Sequence, residues 1–300
     1  MRPEDYKFTI YEPGPVTKII HNEPDIRNPM TGHYILELKD AVERFQRNKE
    51  AKVGVLLANG SVFCSGHNLR FVSKMESWER PKEDTRKAGT AVTEEEWRVQ
   101  MDFMRDNLYY PLWDCKKPIV VGVQGACIAG GMNLVLASDI VVAADDAFFD
   151  YAITRISGAG ASLLLYYIGQ RKAAEIELTG GKFTAADGER WGLINKVVPR
   201  EQLEAEVMRY ANLMAQMPIA SLKLAKSVHR MAMNRMGVRD VIWWGYEIDI
   251  IGHMEGNPRE AEFYSLIKKE GMKAAVAYRD KPFQDIEKAY QEEIAKLSKK

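Results

Sequence analysis

Between Ile119 and Ala144 a short apolar run, a glycine-rich turn, a helical pattern and a second apolar run follow one another without interruption. Ile119–Val123, and Asp139–Ala144 after its first residue, are apolar without alternation and read as buried strands. Two strands of that kind joined through a helix call for a sheet with crossover helices. Val53–Leu57, closed by Asn59-Gly60, is a third run of the same type. The sequence therefore predicts an α/β chain built from recurring strand–loop–helix units.

The flanking segments fit that frame. Phe8–Tyr11 and Val16–His21 bracket Glu-Pro-Gly-Pro and predict a hairpin-like entry. Thr31 is placed to cap a helix whose inner face is Leu38, Ala41, Val42 and Phe45. From about Phe71 to Glu96 the residues become mainly charged or small, which predicts an insertion, either a lid or a solvated surface loop. Trp97, Met101, Met104 and Leu108 then recur at helical spacing. Beyond Thr184 the patterns are mostly helical, over Glu201–Gln216, Ile219–Met236, Val238–His253 and Pro258–Tyr278. The division expected is an α/β core over 1–200 and a helical C-terminal segment over 201–300.

Charge narrows the range of partners. Lys+Arg and Asp+Glu number 42 each, so no global positive field exists to hold nucleic acid, although a local basic groove can hold one phosphorylated small molecule. Cys64, Cys115 and Cys127 form no CxxC pair. That usage suits a reduced compartment. With no apolar signal core at the N-terminus and no apolar run of membrane-spanning length, the expectation is a cytoplasmic protein that does not associate with membranes. No metal, flavin or nicotinamide motif is found.

Chemistry concentrates in two segments, each following a strand: Ser61 to Leu69, containing Phe-Cys-Ser-Gly-His-Asn-Leu, and Gly122 to Asn133, containing Gln-Gly-Ala-Cys-Ile-Ala-Gly-Gly. Glycine admits close backbone approach, and a helix start presents N–H groups without intrahelical partners. Two such turns side by side can give two N–H donors to one oxygen, the arrangement that stabilises an enolate or a tetrahedral oxyanion.

Taken in order, these segments resemble the crotonase superfamily, the enoyl-CoA hydratase/isomerase family. Asn22-Glu-Pro-Asp-Ile-Arg-Asn28 is similar to the family's N-R-P-x-x-R-N entry, and Phe63–Leu69 to its F-C-[AS]-G-x-D-L turn. Val123-Gln-Gly through Gly131, with Ala137-Ser-Asp-Ile140, resembles its second oxyanion segment. Ile156-Ser-Gly-Ala-Gly160 stands where the family has I-P-G-x-G, and further matches run from Leu178 to Val198 and from Glu270 to Phe283. The resemblance covers nearly the whole chain, from about Val16 to Phe283.

It implies a crotonase-like spiral of ββα units whose C-terminal helices make trimers that pair into hexamers. It implies an acyl-CoA substrate, with coenzyme A part of the substrate and no separate cofactor. The oxyanion donors would be the backbone N–H groups of His67 and Gly130. The coenzyme would lie along Asn68 and Leu69, with Arg27 and Arg70 either at its phosphates or in surface ion pairs. The two glutamates that hydratases of the family use fall on Asn133 and Asp150 here. Asn133 cannot exchange a proton, so it either orients water or substrate or satisfies a helix start. Asp150 is either a single base or an ordinary loop acid. Tyr151, Arg155 and Ser157 are expected on its face, with Arg155 either meeting a second carboxylate on the substrate or forming a structural ion pair.

The activity implied is of the enoyl-CoA hydratase/isomerase type. Its rivals are a decarboxylase, a C–C bond hydrolase or an isomerase acting on a cyclic or dicarboxylic ester, and a non-catalytic acyl-CoA binder. The imidazole of His67 is expected to line the pocket or orient substrate. Cys64 and Cys127 read as small filler, and His21, His33, His229 and His253 as surface or satisfied core residues. The family's C-terminal clamp positions carry Ala275 and Tyr278.

Overall fold

The computed structural model describes residues 1–68, 94–156, 158, 160, 162–255 and 257–298. Leu69, Arg70, Ser157, the Trp97 side chain and nearly all of the charged insertion lie outside the described residues.

Strands β1 (Thr9–Glu12), β2 (Val16–His21), β3 (Val53–Ala58), β4 (Ile119–Val123), β6 (Ile140–Ala144) and β9 (Lys196–Val198) form one sheet in the order β1-β2-β3-β4-β6-β9. Within this sheet, among the described residues, only the β1–β2 pair is antiparallel. A second sheet joins β5 (Ala126–Ile128), β7 (Phe148–Asp150) and β8 (Lys182–Thr184). Successive strands thus divide between the sheets before a helix follows: β4, β5 and the helix Gly130–Ala137, then β6, β7 and the helix Leu164–Ile168.

The continuous apolar strands are indeed covered on both faces. Val53, Val55 and Leu57 pack with Val120 and Val142 against Leu203, Val207 and Ala211 of the helix Leu203–Ala215. Leu56 and Val121, pointing the other way by strand alternation, belong to the core that holds Leu38, Val42 and Phe45 of the helix Gly32–Arg47. Thr31 caps that helix as expected, its hydroxyl oxygen accepting from the Tyr34 N–H at 3.1 Å.

The step from β4 to β5 depends on Gly125. Its φ is +55°, and a Cβ there would lie 2.1 Å from the Ser61 carbonyl oxygen. Only glycine can bring these two segments so close.

One helix boundary differs from the sequence expectation. The pattern over Pro258–Tyr278 resolves into two helices, Pro258–Lys269 and Met272–Leu297, separated at Gly271 with φ +90°. Gly271, whose positive φ favours glycine, turns the chain between the two helices despite continuous apolar spacing. No helix among the described residues is long and apolar enough to cross a membrane.

Candidate active site

The site begins where the chain leaves β3 and runs beside β5. The Phe63 N–H donates to the Gln124 carbonyl (2.9 Å), Cys64 to Ala126 (3.1 Å), and Ile128 back to Cys64 (3.0 Å). On the other side Met30 donates to Gly66 (2.8 Å) and accepts from Asn68 (3.1 Å). Met30 thereby bonds the two neighbours of His67 and leaves the His67 N–H directed away from it. Gly130 opens the helix Gly130–Ala137, so its N–H lacks an intrahelical acceptor. Neither N–H donates to another group among the described residues.

Two features fix the second turn. Ala129 is held at φ 45° and ψ −109°, a conformation alanine adopts only when its surroundings impose it. The constraint is visible: the Ala129 N–H donates to the Asp150 carbonyl at 2.9 Å. The His67 ring meanwhile lies where a Gly130 side chain would go, with Nε2 2.6 Å from the missing Cβ position. These two backbone donors and one imidazole therefore share the same small volume.

That volume opens into a cavity of about 120 Å³. His67, Asn133, Tyr151, Tyr246, Asp249 and His253 supply polar wall, while Met101, Met104 and Leu136 supply apolar wall. The Tyr109 hydroxyl donates to Asn133 Oδ1 at 2.7 Å, which leaves the Asn133 amide N–H groups for the cavity. Tyr109 reaches Asn133 from Arg105–Tyr109, a widened helical turn of the kind often found at functional sites. His67 Nε2 and the Tyr246 hydroxyl are sealed from solvent and have no protein partner among the described residues.

Burial pushes the His67 imidazole down to about 4, so it is neutral at neutral pH. His253 shifts the other way. Burial opposes its charge, but Glu260, with Nδ1–Oε1 at 3.0 Å, and Asp249, with Nε2–Oδ2 at 3.8 Å, outweigh burial and raise it. The 3.0 Å contact falls short of hydrogen-bond geometry, and its strength is that of close opposite charges.

The residues singled out from sequence separate into groups. His67, Gly130, Asn133 and Tyr151 line the cavity. Asp150 and Arg155 do not. The Asp150 carboxylate, 2% exposed, faces Arg155 and Lys182 at 3.2 Å each. Arg155 in turn donates to Asp280 (2.9 Å) and to the Gly180 carbonyl, and is 8% exposed. Consecutive residues at a strand end point to opposite sides, so bringing Tyr151 into the cavity turns Asp150 out of it. Asp150 contributes its carbonyl to the oxyanion turn instead. Arg27 is exposed in a left-handed conformation, its carbonyl accepting from the Ser65 N–H at 3.2 Å, and Asn68 is half-buried beside the same turn.

Tyr246, Asp249 and His253 were not legible as site residues, and His253 belongs to the cavity wall rather than to the surface or the satisfied core. A signal existed: all three fall on the stripe of the helix Val238–Met254 that also buries Val238, Ile242 and Ile250. A carboxylate and an imidazole one turn apart on an apolar stripe are unusual in a simple core helix. All three cysteines are free and buried, and burial pushes the Cys64 thiol up to about 12, which leaves no thiolate nucleophile. Ala275 is fully buried beside Phe263, so it presents no clamp.

Comparison with known proteins bears on the family and the fold. The sequence model described as enoyl-CoA hydratase/isomerase matches residues 12–241. A putative enoyl-CoA hydratase of Thermus thermophilus is 28% identical over 232 residues, 76% of this chain and 85% of that protein. A peroxisomal Delta(3,5)-Delta(2,4)-dienoyl-CoA isomerase of Arabidopsis thaliana is 28% identical over 187 residues, 61% of this chain and 65% of that one. Among solved structures, an enoyl-CoA hydratase/isomerase from Xanthobacter autotrophicus Py2 superposes with a TM-score of 0.82 at 26% identity, covering 92% of this chain and 98% of its own. An enoyl-CoA hydratase from Mycobacterium smegmatis gives 0.82 at 27% identity, covering 94% and 96%.

Proposed function

This chain belongs to the enoyl-CoA hydratase/isomerase family, and we propose that it converts a compact enoyl-CoA thioester through an enolate whose oxygen is held by the backbone N–H groups of His67 and Gly130. The observation that carries this reading is the pairing of those unengaged donors at the wall of one cavity. Two donors aimed at one developing negative charge are the largest single aid to such a reaction, each worth roughly 3 kcal/mol of barrier. A cavity of about 120 Å³ suits a short or cyclic acyl group, since an engineered cavity of roughly 150 Å³ accommodates benzene.

Coenzyme A would extend from the first turn past Asn68 and the exposed Arg27, whose planar guanidinium suits phosphate. The exposed faces Leu224, Val228 and Met231, and Trp244, Ile248 and Ile251, recur at helical spacing on the C-terminal helices. They support a homo-oligomer, a trimer or hexamer, which light scattering would test by molecular mass.

Asn133 favours a second reading, isomerisation or decarboxylation in place of hydration. A carboxamide orients but does not exchange protons, so a mechanism with two carboxylates sharing one water is unavailable at that position. The test is a panel of straight, cyclic, aromatic and dicarboxylic CoA esters incubated in heavy-oxygen water and followed by mass spectrometry. Incorporation of one labelled oxygen establishes water addition or hydrolysis, which product mass separates. Turnover without label establishes isomerisation or, with loss of carbon dioxide, decarboxylation. No turnover across the panel rejects the enolate reading.

A further inference from the structure

We infer that proton transfer at the acyl chain is carried out by Asp249, with His253 and Glu260 behind it as positioning residues, on helices of the C-terminal segment and not on the strand that ends at Asp150. The inference rests on the enolate reading above and adds the group that makes and unmakes the enolate.

Asp249 and His253 stand one turn apart on the helix Val238–Met254, and both line the cavity that contains His67, Gly130 and Asn133. Asp249 is 4% exposed, and its carboxylate packs against Gly158. A Cβ on Gly158 would lie 2.2 Å from Asp249 Oδ1, so that position accepts the carboxylate only because it carries glycine, held at φ +54°. Behind it His253 faces Asp249 through Nε2 at 3.8 Å and Glu260 through Nδ1 at 3.0 Å. Glu260, 8% exposed, does not line the cavity and ends the chain of groups.

The other candidates are committed elsewhere. Asp150 is ion-paired outside the cavity wall, Asn133 is an amide, and His67 packs on Gly130 beside the place where the thioester oxygen would sit. Tyr151, Tyr246 and Tyr264 line the same cavity as Asp249, and burial raises all three phenols, so they remain neutral donors. The carboxylates on either side of His253 favour its charged form, fix the orientation of the ring and let it stabilise Asp249 as the anion.

The step balances without a further reactant. Asp249 takes a proton from the carbon beside the thioester carbonyl. The electron pair of that C–H bond moves into the enolate, whose oxygen accepts the N–H groups of His67 and Gly130. The proton then returns to carbon at the same or a conjugated position.

The test is exchange of the acidic α-proton in heavy water, read as mass gain of a saturated CoA ester chosen from the responding acyl class. We expect exchange by the wild type, at least a hundredfold loss in Asp249→Asn and Asp249→Ala with ester affinity within threefold, and partial recovery of Asp249→Ala by added formate. His253→Gln should lower the exchange rate and displace its pH profile without altering ester affinity. Wild-type exchange that Asp249→Asn retains overturns the inference alone. If Asp249 variants lose native circular dichroism, His253→Gln decides: an unmoved pH profile overturns the relay. Absence of exchange by the wild type with every ester overturns both the enolate reading and this inference.

Discussion

The imidazole of His67 occupies the space that Gly130 leaves by having no side chain. Nε2 would lie 2.6 Å from a Cβ at Gly130, a separation that carbon and nitrogen do not tolerate. The residues that supply the two proposed oxyanion donors are thus coupled through a side chain as well as through the backbone.

Gly130→Ala should therefore displace the His67 ring and misalign both donors. We expect kcat to fall by about 10²–10³, with a far smaller change in KM, measured on whichever ester of the panel responds. Retained kcat would show that the ring can move without cost to the donors.

Tyr109 is fully enclosed and orients Asn133 through a 2.7 Å hydrogen bond. Tyr109→Phe leaves the amide free to rotate while keeping the packing. The expected result is a stability loss of about 1 kcal/mol in urea, with kcat lowered and KM nearly unchanged. Tyr109→Phe with wild-type kcat would make Asn133 a passive part of the wall.

The two cavity histidines should titrate in opposite directions. His67 is lowered to about 4 by burial, so it takes up protons less readily than in the unfolded chain. The stability that follows is present above the ordinary histidine value and is lost as pH falls from there toward 4. His253 is raised by Glu260 and Asp249 against burial, so its contribution is full below the ordinary value and is lost as pH rises through the raised one. Proton resonances of the rings, assigned with His67→Gln and His253→Gln, should show the first neutral at pH 5 and the second still charged when free histidine is not. Coincident titration near the ordinary value would contradict both environments.

Asp280 on the helix Met272–Leu297 accepts from Arg155, on the turn that follows β7, and from its own helix neighbour Arg279. Burial opposes its charge, but the two guanidinium groups hold the carboxyl below the usual range. Its stabilisation is present above the ordinary aspartate value and is lost as pH falls through the depressed one. Asp280→Asn leaves Arg155 with less compensation and should cost about 3 kcal/mol, seen as a lower urea midpoint at pH 7 and a flatter acid limb. An unchanged midpoint would mean that Asp150 alone satisfies Arg155.

Sequence by itself determined the sheet-and-crossover architecture and the two glycine turns. Those features are local: β3 and β4 are apolar without alternation because both faces are covered, and the turn glycines are needed within a few residues of where they act. It also determined that Asn133 cannot serve as a base, since that is a property of the side chain alone. The tertiary structure decided which carboxylate meets the cavity. At the end of β7 a single-residue alternation puts Tyr151 inside and Asp150 against Arg155 and Lys182. Asp249 reaches the same cavity from a helix far along the chain, because Val238, Ile242 and Ile250 dock that helix into the core with Asp249 against Gly158 and His253 on the cavity wall. Periodicity shows that such a helix has a buried face. What that face meets depends on packing between segments distant in sequence, and no local pattern encodes it.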